Sequence, residues 1–170
     1  MPLDIVYRAA QAGDLDQIEA LHDRVFGPGA LTRSAYRLRE GVPRLSPFCR
    51  VAVLPEGVIA SVRFTPITIG GRGGALLLGP LAVDAAHANR GHGRRIVRDG
   101  LTAARTAGIR LAVLVGDLGY YASMGFSSVP RGTIAMPGPV DLDRLLANEL
   151  VPAAAGAFAG TIAADRDGCY

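Results

Sequence analysis

Residues 75–95 read A-L-L-L-G-P-L-A-V-D-A-A-H-A-N-R-G-H-G-R-R, and their reading decides the fold. The first nine are nearly all apolar, as a strand covered on both faces requires. Gly79-Pro80 interrupts them. Proline has no N–H for a ladder, and glycine inside a strand marks a bulge or a close backbone approach, so the strand is expected to be buried and locally broken. An edge strand with an incidental proline is the alternative. After Asp84 and a short loop, Asn89 to Gly93 opens a helix. Ile96, Val97, Gly100, Leu101 and Ala104 form its buried stripe, Arg94, Arg95, Arg98 and Arg105 fall outside it, and Gly108 closes it.

A helix head exposes unpaired N–H groups and about half a positive charge. Glycines at 91 and 93 let the backbone approach a ligand, which makes this turn a natural seat for phosphate or pyrophosphate. A tight turn needing glycine only for its geometry fits the residues as well. A dinucleotide-binding unit fits less well, because the third glycine is missing and the motif follows antiparallel-looking strands.

Working outward, residues 4–9 suit a first strand. Asp14 and Gln17 read as a capping box, and Leu15, Ile18, Leu21 and Val25 give one apolar helical face that Gly27-Pro28-Gly29 ends. Residues 31–41 predict a short second helix. Residues 50–54 and 58–69 have strand character, joined by the turn 55–57, and 70–74 is a further hairpin connection. Leu111 to Val115 is a short buried strand, completing a β–α–β unit over 76–115. A short element carries Tyr120 and Tyr121 ahead of Gly125-Phe126. Leu142, Leu145 and Leu146 predict a helix ended by Pro152.

Composition narrows the function classes. All 18 basic residues are arginine, so chemistry that needs a lysine is excluded: a Schiff base, a pyridoxal-phosphate anchor, a phosphate-loop lysine. The same lysine-free, Ala/Gly/Arg-rich usage looks like the product of a GC-rich genome. Cys49 and Cys169 have neither metal-ligand nor disulfide-framework spacing, and no metal is expected. The net charge of +3 suits an anionic ligand, whereas dispersed arginines and 6% aromatic residues argue against nucleic acid. The longest small-apolar stretch is too short and too interrupted to span a bilayer, and the N-terminal residues do not form a signal pattern, so a cytoplasmic location is expected. One domain over 1–170 is the reading, since nothing in the chain looks like a linker or a repeat.

The order of these parts over roughly 5–135 resembles the GNAT superfamily of N-acetyltransferases. Segment 79–95 is similar to its cofactor motif, (Gln/Arg)-x-x-Gly-x-(Gly/Ala). Segment 120–126, Y-Y-A-S-M-G-F, is similar to its tyrosine-then-Gly-Phe signature, with Tyr121 four residues before Gly125. The resemblance implies an α+β fold, layered α/β/α: a mixed, mostly antiparallel sheet with a splayed parallel strand pair, flanked by helices. It implies acetyl transfer from acetyl-coenzyme A to an amine, by direct attack and without an acyl-enzyme, in a monomer or homodimer. A coenzyme A sensor without activity is the rival on the same fold.

The same resemblance assigns roles. Backbone N–H groups from Asn89, Arg90, Gly91, His92, Gly93 and Arg94 would cradle the pyrophosphate. Leu81, Ala82 and Val83 would line the pantetheine arm, and a free N–H near Leu81 or Ala82 would bind the thioester oxygen. Tyr121 would protonate the leaving thiolate; its alternative is packing beside Phe126, a role for which Tyr120 is the nearer candidate. Ala88 departs from the motif's glutamine or arginine. The His92 side chain is either a phosphate donor or a solvent-facing bystander. No residue stands out as the general base. Asp84 reads as a loop cap, Asp117 as a cleft residue or an N-cap, and His22, Asp23 and Glu40 fall where this family covers its acceptor, though each also reads as a solvated helix residue.

Overall fold

The computed structural model describes residues 4–27 and 38–167. Among these residues nine strands, β1 (Val6–Ala9), β2 (Arg50–Leu54), β3 (Gly57–Ile69), β4 (Arg72–Val83), β5 (Leu111–Val115), β6 (Ser127–Ser128), β7 (Ile134–Ala135), β8 (Leu145–Glu149) and β9 (Gly160–Ala164), accompany three α-helices, α1 (Leu15–Phe26), α2 (His92–Thr106) and α3 (Leu118–Tyr121). The main sheet runs β1-β2-β3-β4-β5-β8-β6, and β9 joins it on β3 while also pairing with β7. Its pairs are antiparallel except β4–β5, and the small β7–β9 pair is parallel as well. Among the described residues no helix is long and apolar enough to cross a membrane.

Alternation along the strands divides the core between two faces. Ala52, Val62, Phe64, Leu76, Leu78, Leu114 and Leu146 pack under Ile96, Val97, Leu101 and Ala104 of α2. Val51, Val58 and Ala82 meet Leu21 of α1, and further along the chain Ile67, Leu77, Val113, Leu145 and Phe158 form a third cluster. At about 1.5–3 kcal/mol per buried large aliphatic side chain, the stripe on α2 outweighs anything its arginine face contributes.

The interruption at Gly79-Pro80 is a bulge in a continuous strand. Val62 pairs with Leu81 and Phe64 with Leu78, so two residues of β4 stand against Arg63 alone. A bulge tolerates proline because the missing N–H would have had no ladder partner. The β4–β5 pairing is short. It covers Ala75↔Leu111, Leu76↔Ala112 and Leu77↔Val113, and beyond Leu77 the parallel strands part.

Three expectations are corrected. The helix expected around 142–146 is a 3-10 turn, Leu142–Arg144, followed by strand β8. Leu145, Leu146, Ala147 and Asn148 are all buried, as two covered faces require and one helical face cannot supply. Asp14 does not cap α1 with Gln17: its carboxylate accepts the Gln11 N–H at 2.8 Å and pairs with Arg8, while Gln17 Oε1 accepts the Val58 N–H at 2.8 Å. Val25 is exposed, and Phe26 takes its place on the apolar face of α1. In the segment 31–41, residues 31–37 lie outside the described residues and 38–41 form a turn.

Gly100 lies where α2 crosses the sheet. A β-carbon there would overlap the Phe64 ring and approach the Phe48 carbonyl oxygen to 2.9 Å. Glycine to alanine in a helix interior ordinarily stabilises by up to about 1 kcal/mol. Here the sign inverts: overpacking costs about 1–3 kcal/mol, so Gly100→Ala is expected to lower the urea midpoint.

Candidate functional site

The parting of β4 and β5 opens a cleft of about 1270 Å³ through the sheet. Its walls come from α1 on one side, the bulge of β4, the end of β5, and the tyrosines of α3. From Leu78 to Val83 the edge of β4 that faces β5 has no strand partner among the described residues, so part of its backbone is left for something else to bond.

Tyr121 is held at this opening by the shape of its surroundings. Its ring lies against Gly116, directly after β5, where a β-carbon would come within 2.8 Å of the ring. It meets Tyr120 edge-on at 4.9 Å and Phe126 at 5.7 Å. Buried Asn148 fastens the turn below by donating to the Met124 carbonyl at 2.9 Å. Burial, and secondarily Tyr120, push the Tyr121 phenol up to about 12, so it is protonated at any ordinary pH.

The aromatic beside Phe126 is therefore Tyr121, not Tyr120 as the sequence had suggested. Tyr120 turns toward the head of α2. A β-carbon on Gly93 would stand 2.8 Å from Tyr120 Oη and 3.2 Å from Val83 Cγ2, and the Arg94 guanidinium lies over the Tyr120 ring at 4.7 Å. Gly93 thus permits the helix head to close onto both β4 and α3.

That head is built on left-handed backbone at Asn89 (φ 60°) and Gly91 (φ 86°); asparagine and glycine tolerate it best. The Arg95 N–H takes the Gly91 carbonyl at 3.0 Å. The N–H groups of His92, Gly93 and Arg94 precede the first intrahelical bond, as helix geometry dictates. Asn89, Arg90, Gly91 and Arg94 are exposed, and so is Ala88.

The His92 side chain does not face solvent. It is 8% exposed, and its Nδ1 lies 2.8 Å from Tyr7 Oη of β1. Arg95 stacks over the same tyrosine at 4.6 Å. The first strand of the chain thereby ties down the helix head; only the backbone of His92 is left facing the turn.

Among the residues expected at the site, Leu81 and Tyr121 line the cleft, together with Tyr120. Ala82 is buried toward α1, and Val83 packs on the α2 side. The 89–94 turn lies outside the cleft lining and connects to it through Gly93 and Tyr120. Asp84 is a loop cap: Oδ1 accepts the Ala86 N–H at 3.0 Å and Oδ2 the Arg24 guanidinium at 3.2 Å, which holds the carboxyl below the usual range. Asp117 caps α3 through the Gly119 N–H at 3.0 Å and also lines the cleft. Cys49 is buried, with Sγ accepting the Phe64 N–H at 3.4 Å; Cys169 lies outside the described residues. No group of three or more His, Cys, Asp or Glu among the described residues could hold a metal.

Sequence reasoning did not find the Gly93–Tyr120 approach or the Tyr7–His92 bond, and it left His22, half-buried in the cleft, between an acceptor-side residue and a solvated helix residue. The first two join residues far apart in the chain and leave no local signal.

No family model and no curated protein matches the sequence. Solved structures do. The chain is similar to the GNAT family N-acetyltransferase YhbS from Escherichia coli, solved in complex with CoA, with TM-score 0.83 and 27% identity over 97% of this chain and 92% of that one. It is similar to a GNAT family acetyltransferase from Brucella melitensis in complex with acetyl-CoA, with TM-score 0.64 and 29% identity over 90% and 99%. The ribosomal-protein-S18-alanine N-acetyltransferase from Escherichia coli shares the fold, with TM-score 0.62 and 15% identity over 88% and 96%.

Both site histidines are held below the ordinary value, chiefly by burial. Neutral in the fold, they gain protons more readily once unfolded. The unfolded chain then binds more protons in the window from the depressed values up to about 6.5, so stability is lost as pH falls through that window. The urea midpoint is expected to decline between pH 7 and pH 5, and less steeply in His92→Gln.

Proposed function

The chain belongs to the GNAT superfamily, and from that premise we propose that it moves an acetyl group from acetyl-coenzyme A to an amine, on a small molecule or a peptide. One observation carries the reading: β4 and β5 part immediately before a protonated tyrosine on one side and an N–H-bearing helix head on the other. A sheet closed at that point would stabilise the fold without offering backbone to a ligand.

The residues fit the group. The N–H groups of His92, Gly93 and Arg94 bind the diphosphate at the positive end of α2, with Asn89, Arg90 and Gly91 shaping the turn. The unpaired edge at Leu81, Ala82 and Val83 seats the pantetheine arm, and an N–H of that edge polarises the acyl oxygen. Bound acetyl-coenzyme A supplies an activated thioester. Tyr121, kept protonated by its burial, donates its proton to the departing sulfur. No acyl-enzyme is required, because the amine can reach the acyl carbon through the same opening.

The test of the reading is a panel of polyamines, aminoglycosides, amino acids and peptides offered with acetyl-coenzyme A, scored by acetylated product. Binding without transfer to any of them would mark a sensor.

Two predictions follow the assignments. Gly91 and Gly108 stand at opposite ends of α2 with φ near +86° and +88°, both in open space. An alanine at either costs about 1–2 kcal/mol of backbone strain. Gly91→Ala and Gly108→Ala should therefore lose similar stability, while only Gly91→Ala loses the thermal stabilisation conferred by acetyl-coenzyme A. Tyr121→Phe should lower kcat by about 10²–10⁴-fold with little change in acetyl-coenzyme A affinity. In the native enzyme kcat should show no loss from Tyr121 even at about pH 10, where an ordinary tyrosine is half ionised.

A further inference from the structure

We propose that His22 is the general base of this reaction, taking the proton that the acceptor amine loses as it attacks. The inference rests on the acetyl-transfer reading above and adds the proton acceptor that reading lacks.

Its ground is placement. Leu21 anchors α1 against β2, β3 and β4, and that anchoring sets the next residue, His22, into the wall of the cleft. Tyr121 belongs to the core on the α2 side of the sheet. The two side chains therefore reach the gap between β4 and β5 from opposite faces. Direct transfer needs this arrangement, with the proton acceptor beside the incoming amine and the proton donor beside the departing sulfur. Tight surroundings orient the imidazole: Nε2 lies 3.4 Å from Ser61 Oγ, itself a buried cleft residue, and the ring meets Phe26 at 5.7 Å.

The cleft's carboxylates are less well suited. Asp117 and Asp141 accept the N–H groups of Gly119 and Asp143. Glu19 is paired with Arg44, and Asp23 and Glu40 are exposed. The charged groups that face His22 are Arg39 from the 38–41 turn, Arg63 from β3 and Asp23 from its own helix. Burial first, then both arginines, hold the imidazole below its ordinary value, against Asp23, which raises it. The ring is neutral at neutral pH, and either tautomer leaves one basic nitrogen.

The step balances. The amine lone pair forms the new N–C bond, and its N–H bond breaks with the proton passing to the His22 imidazole. The C–S bond breaks with its electron pair on sulfur, which takes the Tyr121 proton. Exchange with water then removes one proton from His22 and returns one to Tyr121.

The experiment compares the native chain with His22→Ala, using acetyl-coenzyme A and the panel amine that turns over fastest, with kcat measured across pH 5–9. The native kcat should fall on acidification with a midpoint below about 6.5. In His22→Ala kcat should drop about 10²–10⁴-fold, this acidic limb should vanish, imidazole added to the medium should restore part of the rate, and thermal stabilisation by acetyl-coenzyme A should persist. Should the alanine variant not fold, His22→Gln and the NMR titration of the native His22 ring decide, the ring being expected to titrate at the kinetic midpoint. A variant that keeps its kcat, a loss of rate that imidazole does not relieve, or a ring that titrates away from that midpoint overturns His22 alone. A native chain that acetylates no amine overturns the acetyl-transfer reading beneath it.

Discussion

The structure turns on two parallel strands that agree for three residues and then separate. A parallel sheet is ordinarily closed on both sides because each unpaired backbone group away from water costs on the order of 1–3 kcal/mol. Here β4 continues from Leu78 to Val83 with one edge open, and the bulge at Gly79-Pro80 accommodates the divergence against β3. The antiparallel β5–β8 pairing, complete from Leu111 to Val115, holds the other lip in place. The opening is thus flanked from outside by two ladders, β3–β4 with its bulge and the uninterrupted β5–β8.

Around that opening the chain distributes charge economically. Several carboxylates that approach the cleft are engaged in local structure, as caps of α3 and of the 142–144 turn or as a partner to Arg44. Two other groups at the opening are neutral at rest: a phenol whose burial opposes ionisation and an imidazole whose burial opposes protonation. Low dielectric surroundings act in opposite senses on an acid and on a base, and in both cases favour the uncharged form. In the proposed reaction, that burial would ready the donor on one face of the sheet and the acceptor on the other.

Much of this was legible in the residues. The buried strand, the G-x-G helix head with its stripe on α2, and the tyrosine ahead of Gly125 are local patterns, and each is found where its spacing placed it. The helix expected at 142–146 was not. Leu142, Leu145 and Leu146 satisfy a helical period, and only the vacancy beside β5, created far away in the chain, makes β8 a strand. Proximity hid the roles of the tyrosine pair: adjacent residues on a short helix point in different directions, and nothing in Y-Y says which ring meets Phe126. His92 reads as a surface residue because α2 is rich in arginine; its burial depends on Tyr7, 85 positions earlier.

The bond between Tyr7 and His92 ties the helix head to an edge strand far away in the chain. Among the described residues, β1 is a four-residue edge strand that pairs only with β2, so it is readily disturbed. In this chain such a disturbance does not stay at the edge, because removing Tyr7 strips the buried imidazole at the head of α2 of its partner. During synthesis the order is reversed. The strand emerges before α2 and must wait for some 85 further residues before the contact it makes can close.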